Sequence, residues 1–143
     1  SDVMVVSSTH DNVHYIDELG IFGTSDISIM KDSEIGDLTT IEPKKVFGLP
    51  DYTPRDIAQG RNLADNIKYS VDVLRGKGEP AREDLVCANA GAILVLAGKA
   101  RNLPEGYHMA KSIVRSGNPL EKLVEVIEAT RGYKSRLDQY LKT

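Results

Sequence analysis

Val3-Met4-Val5-Val6-Ser7-Ser8-Thr9-His10-Asp11-Asn12-Val13-His14-Tyr15-Ile16-Asp17-Glu18-Leu19 is the stretch on which the fold turns. It opens on a short β-branched run without alternation, the pattern of a strand buried on both faces. The run then passes into a dense polar loop. Ligands of open α/β sheets collect beyond the carboxyl ends of strands, so the strand predicts a sheet and the loop a site at its edge. A doubly buried strand needs neighbours, which in an α/β domain come from other strand–helix units, and none precedes it here. The expectation is an incomplete sheet in a chain that is the C-terminal part of something larger.

Outward from this stretch, Ile27 and Ile29 alternate with polar residues, and Lys31-Asp32-Ser33-Glu34 leads into Ile35 to Ile41, which reads as a half-exposed β-hairpin. Pro43 and Gly48-Leu49-Pro50 close the strand region. Downstream the apolar period is helical. Asn62 caps a helix with the stripe Leu63, Ile67, Val71 and Leu74, and Gly76-Lys77-Gly78 stops it. Pro80 fits the first turn of the next helix, which is apolar nearly all round over Leu85 to Ala100 and is therefore expected to be central. Pro104 opens a helix that Ser116-Gly117 ends. Asn118-Pro119-Leu120-Glu121 then reads as cap, first-turn proline and capping acid for a helix with the stripe Leu120, Leu123, Val124 and Ile127. A last amphipathic turn or two holds Leu137, Tyr140 and Leu141. The fold class is thus α/β: one buried strand, one hairpin, then four to five helices.

The 143 residues suit one globular domain that buries a core without disulfides. The formal charge of −3 with scattered basic residues argues against nucleic-acid binding, and the longest apolar run, Leu85 to Gly98, is interrupted by Asn89 and too short for a membrane span. Cys87 is the lone cysteine; it suits a reducing cytoplasm and reads as a small buried hydrophobe, so redox catalysis is not expected.

Two readings compete in the polar loop. His10 and His14, four apart, could hold zinc with Asp11 or Asp17, but nothing nearby predicts the helix that would place them on one face. Asp17 and Glu18 offer hard oxygen ligands of the kind magnesium accepts when it also holds phosphates and water. Composition alone favours a solvated acidic turn for this pair. No Ser, Cys or Thr stands in a nucleophile elbow, and no catalytic residue is assigned.

The order Val5-Val6, Asp17-Glu18-Leu19, Gly23-Thr24 with the hairpin, Phe47-Gly48-Leu49, Gly60 with Asn66, Gly78-Glu79-Pro80-Ala81-Arg82, Asn89-Ala90, Ala97-Gly98-Lys99-Ala100 and Glu105-Gly106 resembles the C-terminal half of the anthranilate phosphoribosyltransferases, over residues 3–131. The resemblance implies a mixed-sheet, nucleoside phosphorylase/phosphoribosyltransferase-like α/β domain. It also implies a cytoplasmic transferase of tryptophan biosynthesis, in which anthranilate's amine displaces pyrophosphate from phosphoribosyl pyrophosphate. Asp17 and Glu18 match the family's magnesium-binding pair. Residues 1–143 would form a single C-terminal segment, with the N-terminal helical domain and phosphate-loop region absent. Its partners would be the two substrates, that missing segment and, for the full-length protein, a second copy in a homodimer, with no nucleic acid or membrane. This chain by itself is expected to be inactive. Three departures stand out: Ser7-Ser8 where the family usually has His-Gly or Ser-Gly, Tyr15 where it commonly has glycine, and Gly20 where serine commonly follows the acidic pair. They keep two alternatives open, a related transferase-fold protein with another acceptor or no catalysis, and a non-catalytic interaction module.

Overall fold

β1 (Val3–Thr9) runs antiparallel to β3 (Thr24–Lys31) along its whole length, from Val3 opposite Met30 to Thr9 opposite Thr24. The structure is a computed structural model and describes residues 2–142; Ser1 and Thr143, the two ends of the expected segment, lie outside the described residues. β2 (Tyr15–Ile16) returns against the end of β1, and β4 (Glu34–Ile35) and β5 (Thr39–Ile41) follow one another along the far edge of β3. The order is β2-β1-β3-β4, with β5 also on β3. Every pairing among the described residues is antiparallel; this is the incomplete sheet expected of a C-terminal portion of the α/β domain.

The buried strand needs correction in one respect. Met4 and Val6 pack against the core, but Val3 and Val5 on the opposite face are 42% and 64% exposed. The Val3–Ser7 edge away from β3 pairs with no strand among the described residues. The hairpin forms as expected, its turn made by Asp32 and Ser33, both at positive φ (50° and 69°), which matches the right-handed twist of the flanking strands. Its second arm is not one strand: Met30 faces Ile35 while Ile27 faces Thr39, so one extra residue is taken up between β4 and β5, a bulge.

Pro43–Phe47 forms a short helix, α1, ended by Gly48 at φ 67°. A 3₁₀ turn covers Pro54–Ile57. The longer helices are α2 (Leu63–Leu74), α3 (Pro80–Leu96), α4 (Leu103–Ser116), α5 (Asn118–Ala129) and α6 (Lys134–Leu141). Asn62 caps α2 by accepting the Asp65 N–H at 2.9 Å. Leu63 heads the expected stripe yet is 74% exposed; the buried pair of α2 is Val71 and Val73. Gly117 (φ 78°) ends α4 and starts α5 directly, so Asn118 is already helical and not the cap.

α3 begins at Pro80 and ends just before a left-handed Gly98, short of the predicted Ala100 because the apolar run outlasts the helix. It is central on one side only: Cys87 and Ala88 are fully buried while Ile93 is 66% exposed. Small residues let α4 close on it. A Cβ added at Gly91 would lie 2.5 Å from the Tyr107 nitrogen, and one at Gly106 2.4 Å from the Gly91 carbonyl oxygen, so two glycines set the crossing. The resulting core joins Leu19, Ile21 and Ile27 to Phe47, Leu49, Cys87 and Tyr107, tying the sheet and its loops to the α3–α4 pair. Among the described residues no helix is long and apolar enough to cross a membrane.

Candidate functional site

Asp17 and Glu18 occupy the bend between β2 and a fully buried Leu19. Burying Leu19 strands its peptide groups away from water, and Asn89 of α3 satisfies both: its Oδ1 accepts the Leu19 N–H and its Nδ2 donates to the Leu19 carbonyl, each at 2.9 Å. On either side of Leu19 the same role falls to Ser8. Its buried hydroxyl donates to the Glu18 carbonyl (2.7 Å), accepts the Gly20 N–H (2.9 Å) and meets the Ser25 hydroxyl at 2.6 Å. The backbone of the acidic bend is thus held from two elements, while both carboxylates are exposed and enter no hydrogen bond or ion pair among the described residues.

Two of the sequence departures resolve into one exchange. A Cβ at Gly20 would stand 3.2 Å from the Ser8 Cβ and 3.2 Å from the Phe22 carbonyl oxygen. With serine at 8, position 20 has little room for a side chain; the hydroxyl that the resemblance places after the acidic pair comes from β1 instead.

His10 and His14 do not share a helix face, because His10 to His14 is a loop beyond the end of β1. Thr9 Oγ1 accepts the Asn12 N–H, and Asp11 Oδ1 accepts the N–H groups of Val13 and His14. Asp11 Oδ2 takes the Nδ1–H of His14 at 2.7 Å and lies 3.6 Å from His10 Nε2. The backbone N–H of His14, then its ring, then the Val13 N–H hold the Asp11 carboxyl well below the usual carboxylate range. Among the described residues no three His, Cys, Asp or Glu side chains gather so as to enclose a metal ion, so the two-histidine zinc reading fails.

Beside this loop lies a cavity of about 270 Å³, walled by Ile16, Phe22, Pro54 and Ile57, with His10 and His14 at its polar side. Its far wall is fixed by residues to which the sequence assigned no role. Arg82 Nη2 donates to the Ala58 carbonyl at 2.6 Å while its guanidinium lies 3.9 Å over the Tyr69 ring, and Asn66 Oδ1 accepts the Gly60 N–H at 2.7 Å.

Behind the site, between α3 and α4, Asp84 is buried. It accepts hydrogen bonds from the Tyr52 hydroxyl (2.8 Å), the Tyr107 hydroxyl (2.7 Å) and the Lys111 ammonium. Glu83 pairs with Arg115 at 3.0 Å. Burial, together with the Asp84 carboxylate, pushes the Tyr52 and Tyr107 hydroxyls up to about 12. Burial opposes the charge of Lys111, but Asp84 and the Tyr107 oxygen outweigh it and hold the ammonium above the usual lysine range. Burial, then the Glu83 carboxylate, lifts the Cys87 thiol to about 11, and the side chain is fully buried, as a small hydrophobe would be. The tyrosines set a pH dependence. Between their usual value of about 10 and the folded value of about 12, the unfolded chain has lost protons that the folded chain keeps, so stability is full below pH 10 and declines as pH rises towards 12. A tyrosinate absorbance titration is expected to show two hydroxyls ionising only near pH 12, with the melting temperature falling over the same interval; ionisation of all six tyrosines near pH 10 in the folded state would contradict this.

The sequence carried one signal for the missed residues. Asn89 interrupts an otherwise apolar run, and a polar side chain in such a helix must find partners.

A family described as "Glycosyl transferase family, a/b domain" matches residues 2–120. The anthranilate phosphoribosyltransferase of Methanothermobacter thermautotrophicus is 35% identical over 137 residues, covering 92% of this chain and 38% of that protein. A Bacillus cereus anthranilate phosphoribosyltransferase is 36% identical over 124 residues, covering 87% and 35%. The crystal structure of the Thermus thermophilus anthranilate phosphoribosyltransferase superposes with a TM-score of 0.73 at 23% identity, over 92% of this chain and 36% of that one. The Saccharomyces cerevisiae enzyme in complex with phosphoribosyl pyrophosphate and magnesium does so with a TM-score of 0.71 at 23% identity, over 90% and 35%. The chain therefore spans little more than a third of the length of the relatives it matches.

Proposed function

From the premise that this chain belongs to the anthranilate phosphoribosyltransferase family, through the glycosyl transferase α/β domain matched by residues 2–120, we propose that it supplies the magnesium-binding part of a phosphoribosyl transfer site. The reaction joins anthranilate's amine to the anomeric carbon of phosphoribosyl pyrophosphate and releases pyrophosphate, a step of tryptophan biosynthesis in the cytoplasm. One observation carries the reading: an acidic pair whose backbone is pinned by Asn89 and Ser8 while its side chains are exposed and unpaired among the described residues.

The donor set fits the metal. Two adjacent carboxylates, with no third His, Cys, Asp or Glu among the described residues close enough to complete a cage, suit an ion that keeps several waters and takes phosphate oxygens as further ligands. Bound magnesium supplies positive charge against the oxygens on which charge builds as pyrophosphate leaves. Asp17 and Glu18 would hold it. Asn89, Ser8 and Ser25 act one step back: by fixing Glu18, Leu19 and Gly20 they remove backbone motion that would otherwise have to be frozen when the substrate binds. The yeast relative is described with magnesium and phosphoribosyl pyrophosphate bound, which supports the reading at the level of fold.

The remaining two thirds of the relatives' length would provide the rest of the substrate site and, in the full-length protein, a homodimer contact. Anthranilate consumption with phosphoribosyl pyrophosphate and magnesium is therefore expected to be absent for this chain alone and present for a family-length protein containing it. A family-length protein that leaves anthranilate untouched overturns the assignment.

A further inference from the structure

The wall of the cavity opposite the acidic bend hangs on side chains. From Pro50 to Arg61 the described backbone bonds to no other element's backbone; its bonds are internal, such as Tyr52 to Pro50, Asp56 to Thr53 and Ala58 to Arg55. Side chains of α2 and α3 tie it to the rest of the protein instead. Asn66 Oδ1 accepts the Gly60 N–H, Asp65 Oδ2 accepts the Arg61 N–H at 3.1 Å, and Arg82 donates to the carbonyls of Ile57 (Nη1, 3.4 Å) and Ala58 (Nη2, 2.6 Å). Among these, Arg82 alone holds the backbone of residues that line the cavity. Its side chain is only 17% exposed, with Nε on Glu79 at 2.9 Å and the guanidinium stacked over the Tyr69 ring.

One helix carries both anchors of this cleft. Arg82 and Asn89 stand two turns apart on α3, so they share a face of it and are separated by about 10 Å along its axis. Asn89 holds Leu19 beside the acidic pair. Ile16 and Gly20, which bracket Asp17 to Leu19, line the cavity together with Ile57 and Ala58. α3 thus sets the gap between bend and wall. We propose that Arg82 is a positioning residue of the transfer site: it fixes the Ile57–Ala58 wall across from the acidic bend, so that the cleft is formed before phosphoribosyl pyrophosphate arrives. This role rests on the transferase reading. Without the fork of Arg82, a segment that has no backbone bonds to its neighbours gains conformations, and these must be given up when the substrate binds. The Arg82 donors are engaged within the protein, so the chemical step does not draw on them.

The test is steady-state kinetics of the family-length protein, with amide spectra of the ¹⁵N-labelled chain as the structural readout. Arg82→Gln is expected to raise KM for phosphoribosyl pyrophosphate roughly tenfold at saturating magnesium and to leave kcat within about twofold. Arg82→Lys keeps the charge and loses the fork, so its KM should rise less. Arg115→Ala breaks the ion pair with Glu83, which bonds neither bend nor wall, and should leave KM in place whatever it does to the melting temperature. In the labelled chain, Arg82→Gln should move the amides of Ile57 to Gly60 and leave those of Leu19 and Gly20 where they are. An unchanged KM, a fall in kcat at constant KM, an equal rise in KM for Arg115→Ala, or amide shifts that extend to Leu19 and Gly20 each overturns the proposal. A parent without turnover overturns the transferase reading and this role with it; a parent that turns over while Arg82→Gln leaves KM alone overturns this role only.

Discussion

Replacing Asp17 and Glu18 together by alanine in the family-length protein is expected to lower turnover roughly 10²–10³-fold, the range found when a group stabilising transition-state charge is removed. It should also raise the magnesium concentration needed for half-maximal rate. The size follows from the geometry. Both side chains project into solvent and make no contact that the fold needs, whereas the peptide groups around them are held by Asn89, Ser8 and Ser25, which the substitution leaves alone. The double variant therefore loses its oxygen donors and keeps its backbone, and its unfolding free energy should stay within about 0.5 kcal/mol of the parent. Affinity for magnesium alone should be weak in both proteins, since two carboxylates leave most of the ion's waters in place, and pyrophosphate should strengthen it only in the parent. Turnover with an unchanged magnesium dependence would remove the pair from the site.

Asp84→Ala is expected to destabilise the chain by about 3–5 kcal/mol in urea unfolding, because it breaks a buried ion pair and leaves its partner charge behind. Asp84 is 2% exposed and is the common acceptor for Tyr52, Tyr107 and Lys111. With the carboxylate gone, the Lys111 ammonium and two hydroxyls lose that acceptor between packed helices. The surface pair of Lys44 and Asp51 provides the contrast: Asp51→Ala should cost about 0–1 kcal/mol, as exposed ion pairs do. A loss below about 1 kcal/mol for Asp84→Ala would mean that α3 and α4 are held by their glycine-mediated contact alone.

The hairpin and the helix boundaries were legible because their signals are local. Asp32-Ser33 makes the turn, Asn62 caps α2, Pro80 and Pro104 sit in first turns, and Gly76, Gly98 and Gly117 adopt the left-handed conformation at or just past helix ends. Asn118 failed as a cap for an equally local reason: Gly117 reverses the chain so sharply that α5 starts at Asn118 itself. The proposed metal pair, Asp17 and Glu18, was singled out by its order among the family's other pieces, although by composition it reads as a solvated turn. What packs against what was not legible. Leu63 continues the apolar period of α2 and still faces solvent, and Val5 has the pattern of a doubly buried strand residue with one face uncovered among the described residues.

By itself, then, the sequence determined the α/β class, the order of elements and the chain's place in its family. Tertiary structure alone decided how the bend at Asp17 and Glu18 is held. The residues that hold it are distant in sequence: Asn89 reaches Leu19 across 70 positions and Ser8 meets Ser25 across 17. No periodicity or spacing rule reports such a pairing, because a buried peptide group is satisfied by whichever polar side chain the packing of another element brings to it. The same holds for Asp84, whose three donors come from the loop after α1 and from α4, and for the exchange of Ser8 and Gly20, which is readable only once their Cβ positions are 3.2 Å apart.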